Sequence, residues 1–569
     1  MPRKLPNGIS NYEKLVKENR IYVDKTMYIE KLEEQADSTI MFLRPRKFGK
    51  TLFTSTLECY YDIRKKDEFE TLFKNTYIGK NPTELKNRYH ILRFNFSGID
   101  TTDLETTIKG FKREVASSIK VFVEKYNIDF YINDDDTAEG ILDNLFKAFY
   151  IQKEKEKIYV IIDEYDHFAN ELLGFQTDEF KNLVAKNGKI RKWYEILKKG
   201  TESVVDRIFI TGVAPITLDS TTSGFNIAKD VTKIIEFNDM LGFSKEDVKY
   251  LMNELEIDEK TQEELLPIIK ENYDGYLFSE EVEEDFEKYK MYNSNMTLFF
   301  LNEYMRLNKI PKQLVDINIM SDYGKIEGLM ELCENMNKID ILEKIVSGEL
   351  IESKLTEKFN AEIEFGEKEL ISLLYYLGYL TIKENKLEIL KFGVPNDVIK
   401  NIYSQYFLEY IKRRAGIKEE LKIGDMTIEI LLEGKIDKAI EILGQYLTNL
   451  SNRDYSKFDE KYIKVIFYSI CRMLGAVYVK SELEIGGKYA DILLIPREKI
   501  QERYGVLIEF KYIKKEDYEK DNSLLKEKQQ EAKEQIEKYR KTEEIKLLPK
   551  IRSYSVVSIK DELYVEEIK

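Results

Sequence analysis

Ile40-Met41-Phe42-Leu43-Arg44-Pro45-Arg46-Lys47-Phe48-Gly49-Lys50-Thr51 joins a short apolar run to a basic loop ending in Gly-Lys-Thr, and a helical pattern follows over 52–60. Strand, loop, Gly-Lys-Thr and helix, in that order, form the layout of a phosphate-binding loop. In that layout the backbone N–H groups around Gly49 wrap a β-phosphate. The Lys50 ammonium reaches the β- and γ-phosphates, and the Thr51 hydroxyl holds Mg²⁺. The N-terminus of the following helix adds its dipole to the same anion site. The first position of the loop, where a glycine permits a tight turn, is Arg44. Arginine resists a positive φ by roughly 1 kcal/mol or more. The expectation is a loop entered with altered geometry, with Arg44, Arg46 and Lys47 making its entrance strongly positive.

Bulk composition bounds the rest. At 569 residues the chain is too long for one core, so two to four domains are expected. It is 43% apolar and 34% charged, which argues against long disorder. A net charge of -15 argues against a diffuse polybasic nucleic-acid binder, while leaving room for a phosphate backbone held in a metal-filled cleft. Cys59, Cys333 and Cys471 show no Cys-x-x-Cys spacing, which excludes a cysteine-based zinc cluster and fits a reducing compartment. With only His90 and His167 available, any metal is expected to be a hard cation on carboxylates, Mg²⁺ or Mn²⁺. No apolar run approaches membrane-spanning length and no signal-like segment follows Met1, so a cytoplasmic location and no membrane partner are expected.

Four strand candidates, 40–43, 91–96, 158–162 and 207–211, alternate with long helical stretches in the first third of the chain. That alternation predicts a parallel sheet covered on both faces. From about residue 240 helical patterns take over. Over 370–382 a helix, a turn at Gly378 and a strand are expected, with 387–392 returning as the second arm of a small hairpin, a winged-helix-like unit. The fold class expected from these patterns is α/β, with a helical and winged-helix-like region over 241–425.

Asp163-Glu164 follows the apolar strand directly. Paired with the phosphate loop, Asp163 fits Mg²⁺ binding and Glu164 fits polarisation of the attacking water, with Asp166 a third carboxylate nearby. Thr211, ending the next strand, is a candidate for sensing the γ-phosphate, or simply a strand-terminating threonine before Gly212.

A second constellation lies near the C-terminus. Strands are expected over 489–495 and 505–512, the second alternating so that Glu509 and Lys511 share a face. If the two pair as a hairpin, Asp491 approaches Glu509. Two carboxylates then hold a divalent metal, and Lys511 orients water or stabilises developing charge, chemistry suited to phosphodiester hydrolysis. Glu482 is a candidate further carboxylate, and Gln535 and Tyr539, four apart, lie on one face of a predicted helix.

These residues carry a resemblance. Tyr22-Val23-Asp24-Lys25-Thr26, the loop ending Gly49-Lys50-Thr51, Ile162-Asp163-Glu164-Tyr165-Asp166, Thr211-Gly212-Val213, Tyr273-Asp274-Gly275-Tyr276 and Gly378-Tyr379-Leu380-Thr381 resemble the AAA-ATPase-like domain fused to a PD-(D/E)XK nuclease-superfamily domain in bacterial proteins. Ser481-Glu482, Gly487-Lys488-Tyr489-Ala490-Asp491-Ile492, Glu509-Phe510-Lys511 and Gln535-x-x-x-Tyr539 resemble the nuclease part, the last pair the glutamine–tyrosine motif of RecB-type nucleases. An arginine at the head of the loop is usual in that family, and the resemblance implies a P-loop ATPase core over 1–240, a helical or winged-helix lid over 241–425 and a restriction-endonuclease-like α/β domain over 426–569. Met291-Tyr-Asn-Ser-Asn-Met departs from it, lacking the proline and tryptophan common there.

The expected function is an ATP-binding, ATP-hydrolysing protein whose nucleotide state controls a Mg²⁺-dependent nuclease acting on DNA or RNA. Arg46, Gly49, Lys50, Thr51, Asp163 and Thr211 would bind the nucleotide and its Mg²⁺, with Glu164 catalytic; Asp491 and Glu509 would bind the nuclease metal, with Lys511 catalytic. The alternative is a nucleotide-gated scaffold whose C-terminal domain binds nucleic acid or protein without cutting. Homo-oligomers stay open, with Arg191, Arg207 or Lys412-Arg413-Arg414 as groups able to act in trans.

Overall fold

The computed structural model describes residues 3–133, 135–152, 155–167, 188–216, 228–311, 313–314, 323–331, 338–359, 365–387, 389–418, 422–450, 459–485, 488–497, 503–546, 548 and 550–569. Two compact units emerge: Met1–Met336 with Leu350–Asp397, and Asn337–Glu349 with Val398–Lys569.

The first unit is built on five parallel strands: β1 (Thr39–Leu43), β2 (Tyr89–Asn95), β3 (Lys157–Asp163), β4 (Val205–Gly212) and β5 (Lys229–Asp230), in the order β2-β3-β4-β1-β5. The four strands expected from sequence form; β5, two residues long, carries no apolar run and was not foreseen. Ile158, Val160, Ile161 and Ile162 are fully buried because helices cover both faces of the sheet. Helix α1 (Lys50–Tyr61) leaves β1 through the phosphate loop, α2 (Leu104–Tyr126) packs on β2, and α3 (Ala138–Ile151) packs on α4 (Lys189–Gly200). All strands being parallel, the end of β1 and the end of β3 open on one edge of the sheet. With β4 between them they stand roughly 10 Å apart, two strand spacings. Ligands in such sheets bind outside the carboxyl ends of the strands where the order reverses, which is where the loop lies.

The same unit continues through α5 (Lys245–Glu254), α6 (Glu259–Tyr273) and α7 (Ser294–Leu307). Acidic first turns start two of them as the sequence implies: Ser244 and Asp247 form a capping box on α5, and Asp258 caps α6 by accepting from the Thr261 N–H. Helix α8 (Glu367–Tyr376) then turns at Gly378 into β7 (Thr381–Lys386) and β8 (Ile389–Gly393), the expected helix and hairpin. A third strand, β6 (Ile351–Ser353), adds to β8 in the order β6-β8-β7. Gly378 has φ +82°, and a Cβ there would stand 2.8 Å from the ring of Pro45 in the phosphate loop. Only glycine suits both the turn and that approach.

In the second unit, α9 (Asp437–Asn449) and α10 (Glu460–Arg472) precede a five-stranded mixed sheet. Its strands are β9 (Val477–Ile485), β10 (Lys488–Pro496), β11 (Gly505–Ile513), β12 (Ile551–Ile559) and β13 (Glu562–Ile568), in the order β13-β12-β11-β10-β9. β10 and β11 pair antiparallel, as expected, with Ile492 opposite Ile508 and Leu493 opposite Leu507. β11 and β12 run parallel, joined by a crossover containing α11 (Leu524–Tyr539), which packs across both. Ala490, Leu493 and Leu507 meet Ile536 and Tyr539 of that helix in one core. Cys59 and Cys471 are buried free thiols; Cys333 lies outside the described residues. Among the described residues no helix is long and apolar enough to cross a membrane.

Candidate functional site

The first candidate site is a cavity of about 460 Å³ in the first unit, floored by the phosphate loop. Arg46, Gly49, Lys50 and Thr51 line it together with Glu164 and His167. Gly49 has φ +95° and caps α1, so the loop turns into the helix at a glycine as the motif requires. Lys50 is buried, and its ammonium donates to the carbonyls of Arg44 and Pro45, both at 2.9 Å. Burial holds that ammonium below the ordinary lysine value, against the pull of Glu164, Asp166 and Asp163.

Arg44 does not stand at the entrance. It is 1% exposed. Its guanidinium donates to the carbonyls of Leu43 (2.8 Å), Thr232 (2.9 Å), Phe237 (2.9 Å) and Asn238 (3.2 Å). It lies between the rings of Phe42 and Phe278, 4.2 Å from each centroid. The altered entry geometry expected here takes a definite form: the left-handed residues of the loop are Lys47, at φ 68°, and Gly49. Arginine is tolerated at the head of the loop because the turn is made three residues later and its planar fork meets four carbonyls. Replacing it with the glycine of the common motif is therefore expected to destabilise the protein by about 3–5 kcal/mol, since buried acceptors lose their donor and a cavity opens. Denaturant unfolding of Arg44→Gly checks this, and a nucleotide affinity no better than wild type is expected beside it.

Asp163 is wholly buried; its Oδ2 faces the Arg93 guanidinium at 3.4 Å and the Thr54 hydroxyl at 3.3 Å. Its Oδ1 is buried without a hydrogen-bond partner. An unsatisfied carboxylate oxygen behind the Lys50-Thr51 loop fits a hard cation. Glu164 has φ 52°, a strained conformation for a non-glycine residue, and its carboxylate stands 3.5 Å from His167 Nδ1. Asp166, the third carboxylate nearby, is held by the backbone: its Oδ2 accepts from the N–H groups of Val213 (2.9 Å) and Ala214 (2.7 Å), pinning the turn after β4. Thr211 is held likewise. Its hydroxyl donates to the Phe42 carbonyl at 2.7 Å, tying β4 to β1, and it does not line the cavity.

The apolar wall of the cavity was not found from sequence. Ile9, Ile21 and Val23 supply it from the N-terminal segment, together with Phe243, Leu251 and Leu298. Tyr22-Val23-Asp24-Lys25-Thr26 gave a motif without a role. In the structure Lys25 bonds Asp247 of α5 at 2.6 Å, fixing this segment to that helix.

The second candidate site lies in the other unit. Asp491, Glu509 and Lys511 are 7%, 2% and 9% exposed. Asp491 Oδ2 accepts from the Phe510 N–H at 2.7 Å, so the β10–β11 pairing does bring Asp491 beside Glu509. Lys511 Nζ bonds Glu509 Oε1 at 3.0 Å, and Glu509 Oε2 is buried without a partner. Burial, reinforced by the Asp491 charge, pushes the Glu509 carboxyl up to about 7. Burial alone would lower Lys511, but Glu509 and Glu460 outweigh it and keep the ammonium firmly charged.

Two more groups complete the cluster. Helix α10 is capped by Asp459, and its first two turns send Glu460 and Lys464 to the strands. Lys464 bonds Asp491 Oδ1 at 2.8 Å. Burial raises the Glu460 carboxyl, with Lys511 opposing and Asp491 adding to it. Sequence reasoning missed both, since a Glu and a Lys four apart on an amphipathic helix read as an ordinary surface pair. Gln535 has a buried, unpartnered Oε1. Tyr539 is held up by burial first and by the charges of Glu509 and Asp491, which places it in their field. Glu482 falls on β9, but its side chain, like Gly487, lies outside the described residues. No group of three or more acidic, histidine or cysteine side chains among the described residues is already gathered to hold a metal. Asp491 and Glu509 with the unpartnered Oε2 nonetheless fit a hard divalent cation with open positions.

Residues 6–222 match the family model described as a predicted AAA-ATPase, AAA-ATPase-like, and residues 458–568 match that of the PD-(D/E)XK nuclease superfamily. The chain thus carries an AAA-ATPase-like domain and a PD-(D/E)XK nuclease-superfamily domain. A curated relative, described as an uncharacterized protein in the vnfD 5′ region of Azotobacter chroococcum mcd 1, is 27% identical over 251 residues, 43% of this chain. The match spans 44% of that relative's length. Among solved structures, Cdc6p from Pyrobaculum aerophilum aligns at 12% identity and TM-score 0.25, covering 72% of this chain and 97% of its own. The ORC2 protein of Aeropyrum pernix aligns at 12% identity and TM-score 0.28, covering 72% and 96%. Similarities of that degree add nothing to the reading of either site.

Proposed function

We propose that the protein binds and hydrolyses ATP in its first unit and that the nucleotide state governs phosphodiester hydrolysis of DNA or RNA in its second. The observation that carries the reading is the buried Glu509 oxygen left unpartnered between Asp491 and Lys511. A fold does not leave such an atom unpaired without cost unless something else binds it. Asp491 and Glu509 would hold the Mg²⁺ or Mn²⁺, which supplies Lewis-acid stabilisation of the scissile phosphate. Lys511 offers a fixed positive charge to the phosphate as negative charge builds in the transition state. Lys464 keeps Asp491 oriented. In the nucleotide cavity Lys50 leaves the loop carbonyls for the phosphates, Thr51 and Asp163 would hold Mg²⁺, and Glu164 orients the attacking water. The functional divisions proposed are 1–240, 241–425 and 426–569.

Incubation of the purified protein with plasmid and with RNA, with Mg²⁺ or Mn²⁺, tests the reading when run with ATP, ADP and neither. Metal-dependent cleavage that changes with nucleotide supports it. Metal-independent or absent cleavage under every condition favours the nucleotide-gated scaffold.

Metal binding at the second site is expected to be linked to protons. In the metal-free fold Glu509 holds its proton more tightly than in the unfolded chain, so its contribution to stability is greatest at low pH. That contribution falls as pH rises from the ordinary glutamate value to about 7. A metal needs the carboxylate, so Mn²⁺ affinity should rise over the same window and level off above it. Calorimetric titration at pH 6 in buffers of different ionisation enthalpy should show proton release, and Glu509→Gln should abolish it.

A further inference from the structure

The phosphate loop is clasped from outside its own motif. Lys47 adopts φ 68°, a left-handed conformation that a lysine does not choose unaided. Its carbonyl, aimed by that turn, accepts from the Ser294 hydroxyl at 3.1 Å and from the Asn295 N–H at 3.3 Å. One residue on, the Phe48 carbonyl accepts from the Gly242 N–H at 3.3 Å. A Cβ on Gly242, at φ +90°, would come within 3.1 Å of the Phe48 ring and 3.2 Å of the Tyr292 carbonyl oxygen. Phe243 and Tyr292 exchange backbone hydrogen bonds of 3.0 and 2.7 Å, binding the two sides of the clasp to each other.

Ser294 is the first residue of α7, but it does not cap that helix. Asn293 does, accepting from the Met296 N–H at 3.1 Å. The Ser294 hydroxyl therefore serves the loop rather than the helix. It is nine-tenths buried, lines the nucleotide cavity and lies 3.9 Å from where a Cβ on Gly49 would stand.

We propose that Ser294 is a positioning residue of the nucleotide site: with the Asn295 N–H it holds Lys47 in the left-handed turn that presents the loop amides to phosphate before nucleotide arrives. The inference rests on the reading of this cavity as a nucleotide site. Glycine adopts positive φ freely, so the substitution Lys47→Gly makes the clasp dispensable, which gives the test its logic.

A fluorescent ADP analogue is titrated into the full-length protein and into Ser294→Ala, Lys47→Gly and the double variant. Loss of the hydroxyl is expected to weaken binding about 5- to 10-fold when Lys47 is present, and by less than about 2-fold in the Lys47→Gly background. Equal losses in the two backgrounds would make Ser294 a general packing residue and overturn the inference, as would an unchanged affinity when Lys47 is present. Ser294→Pro gives a second route. Proline suits the first position of a helix, so α7 keeps its start while the hydroxyl goes. The expected affinity is that of Ser294→Ala, and wild-type affinity would again overturn the inference. If the wild-type protein itself binds no analogue, the nucleotide reading fails and takes the inference with it. Binding by the wild type without the background dependence sinks the inference alone.

Discussion

Asp491→Asn should lower metal-dependent cleavage of nucleic acid by at least about a thousandfold while leaving ATP hydrolysis at the wild-type rate. The size follows from the position of the residue. One oxygen of Asp491 is fixed by the Phe510 N–H at 2.7 Å and the other by Lys464 at 2.8 Å, so the carboxylate is aimed, buried and charged. An amide keeps the shape, and its one oxygen can still accept from the Phe510 N–H, so the strand pairing survives. It cannot supply the negative charge that a hard cation requires. The Asp491 charge also contributes to the elevation of the Glu509 carboxyl. With that charge gone, burial still keeps the Glu509 carboxyl raised, so its titration should move only part of the way toward the ordinary value, whereas in an unfolded variant it would go all the way. Cleavage by Asp491→Asn at the wild-type rate with added Mg²⁺ would remove the second site from the proposal.

Much of this architecture is legible in the chain because local signals are strong where burial is complete. Ile158-Tyr159-Val160-Ile161-Ile162 announces a central strand, and Gly49-Lys50-Thr51 announces the loop that must begin a helix. The alternation around Glu509 and Lys511 announces which face they share. What stays hidden is what depends on approach between distant segments. Arg44 reads as a misplaced charge until Thr232, Phe237 and Asn238 are folded around it, because four backbone carbonyls leave no trace in a sequence. Thr211 stays open between sensor and strand terminus because its neighbour in the sheet is unknown; with β1 beside it, the Phe42 carbonyl takes its hydroxyl. Glu460 and Lys464 are invisible for the opposite reason, since their spacing is so common on helix surfaces that only the β10–β11 hairpin singles them out.

Lys50→Ala should weaken ATP binding by about a hundredfold, the loss of charge-assisted contacts of about 1.5–3 kcal/mol to the phosphates, and should abolish measurable hydrolysis. The metal-dependent activity of the second unit measured without nucleotide should persist. Without ligand the ammonium bonds the carbonyls of Arg44 and Pro45, so the substitution also removes two internal hydrogen bonds and some stability is lost for that reason alone. The two effects separate by linkage. A ligand that binds only the folded state raises stability by an amount set by its concentration relative to its dissociation constant. ATP should therefore raise the melting temperature of the wild type and leave that of Lys50→Ala nearly where it began, whatever the starting value. Were ATP to stabilise both proteins equally, Lys50 would be a structural clamp on the loop, and the cavity would bind its ligand by some other group. Burial already disfavours the Lys50 charge in the ligand-free fold, with Glu164 and Asp166 only partly relieving it. A triphosphate supplies the missing counter-charge, and that difference between the two states is what the binding energy draws on.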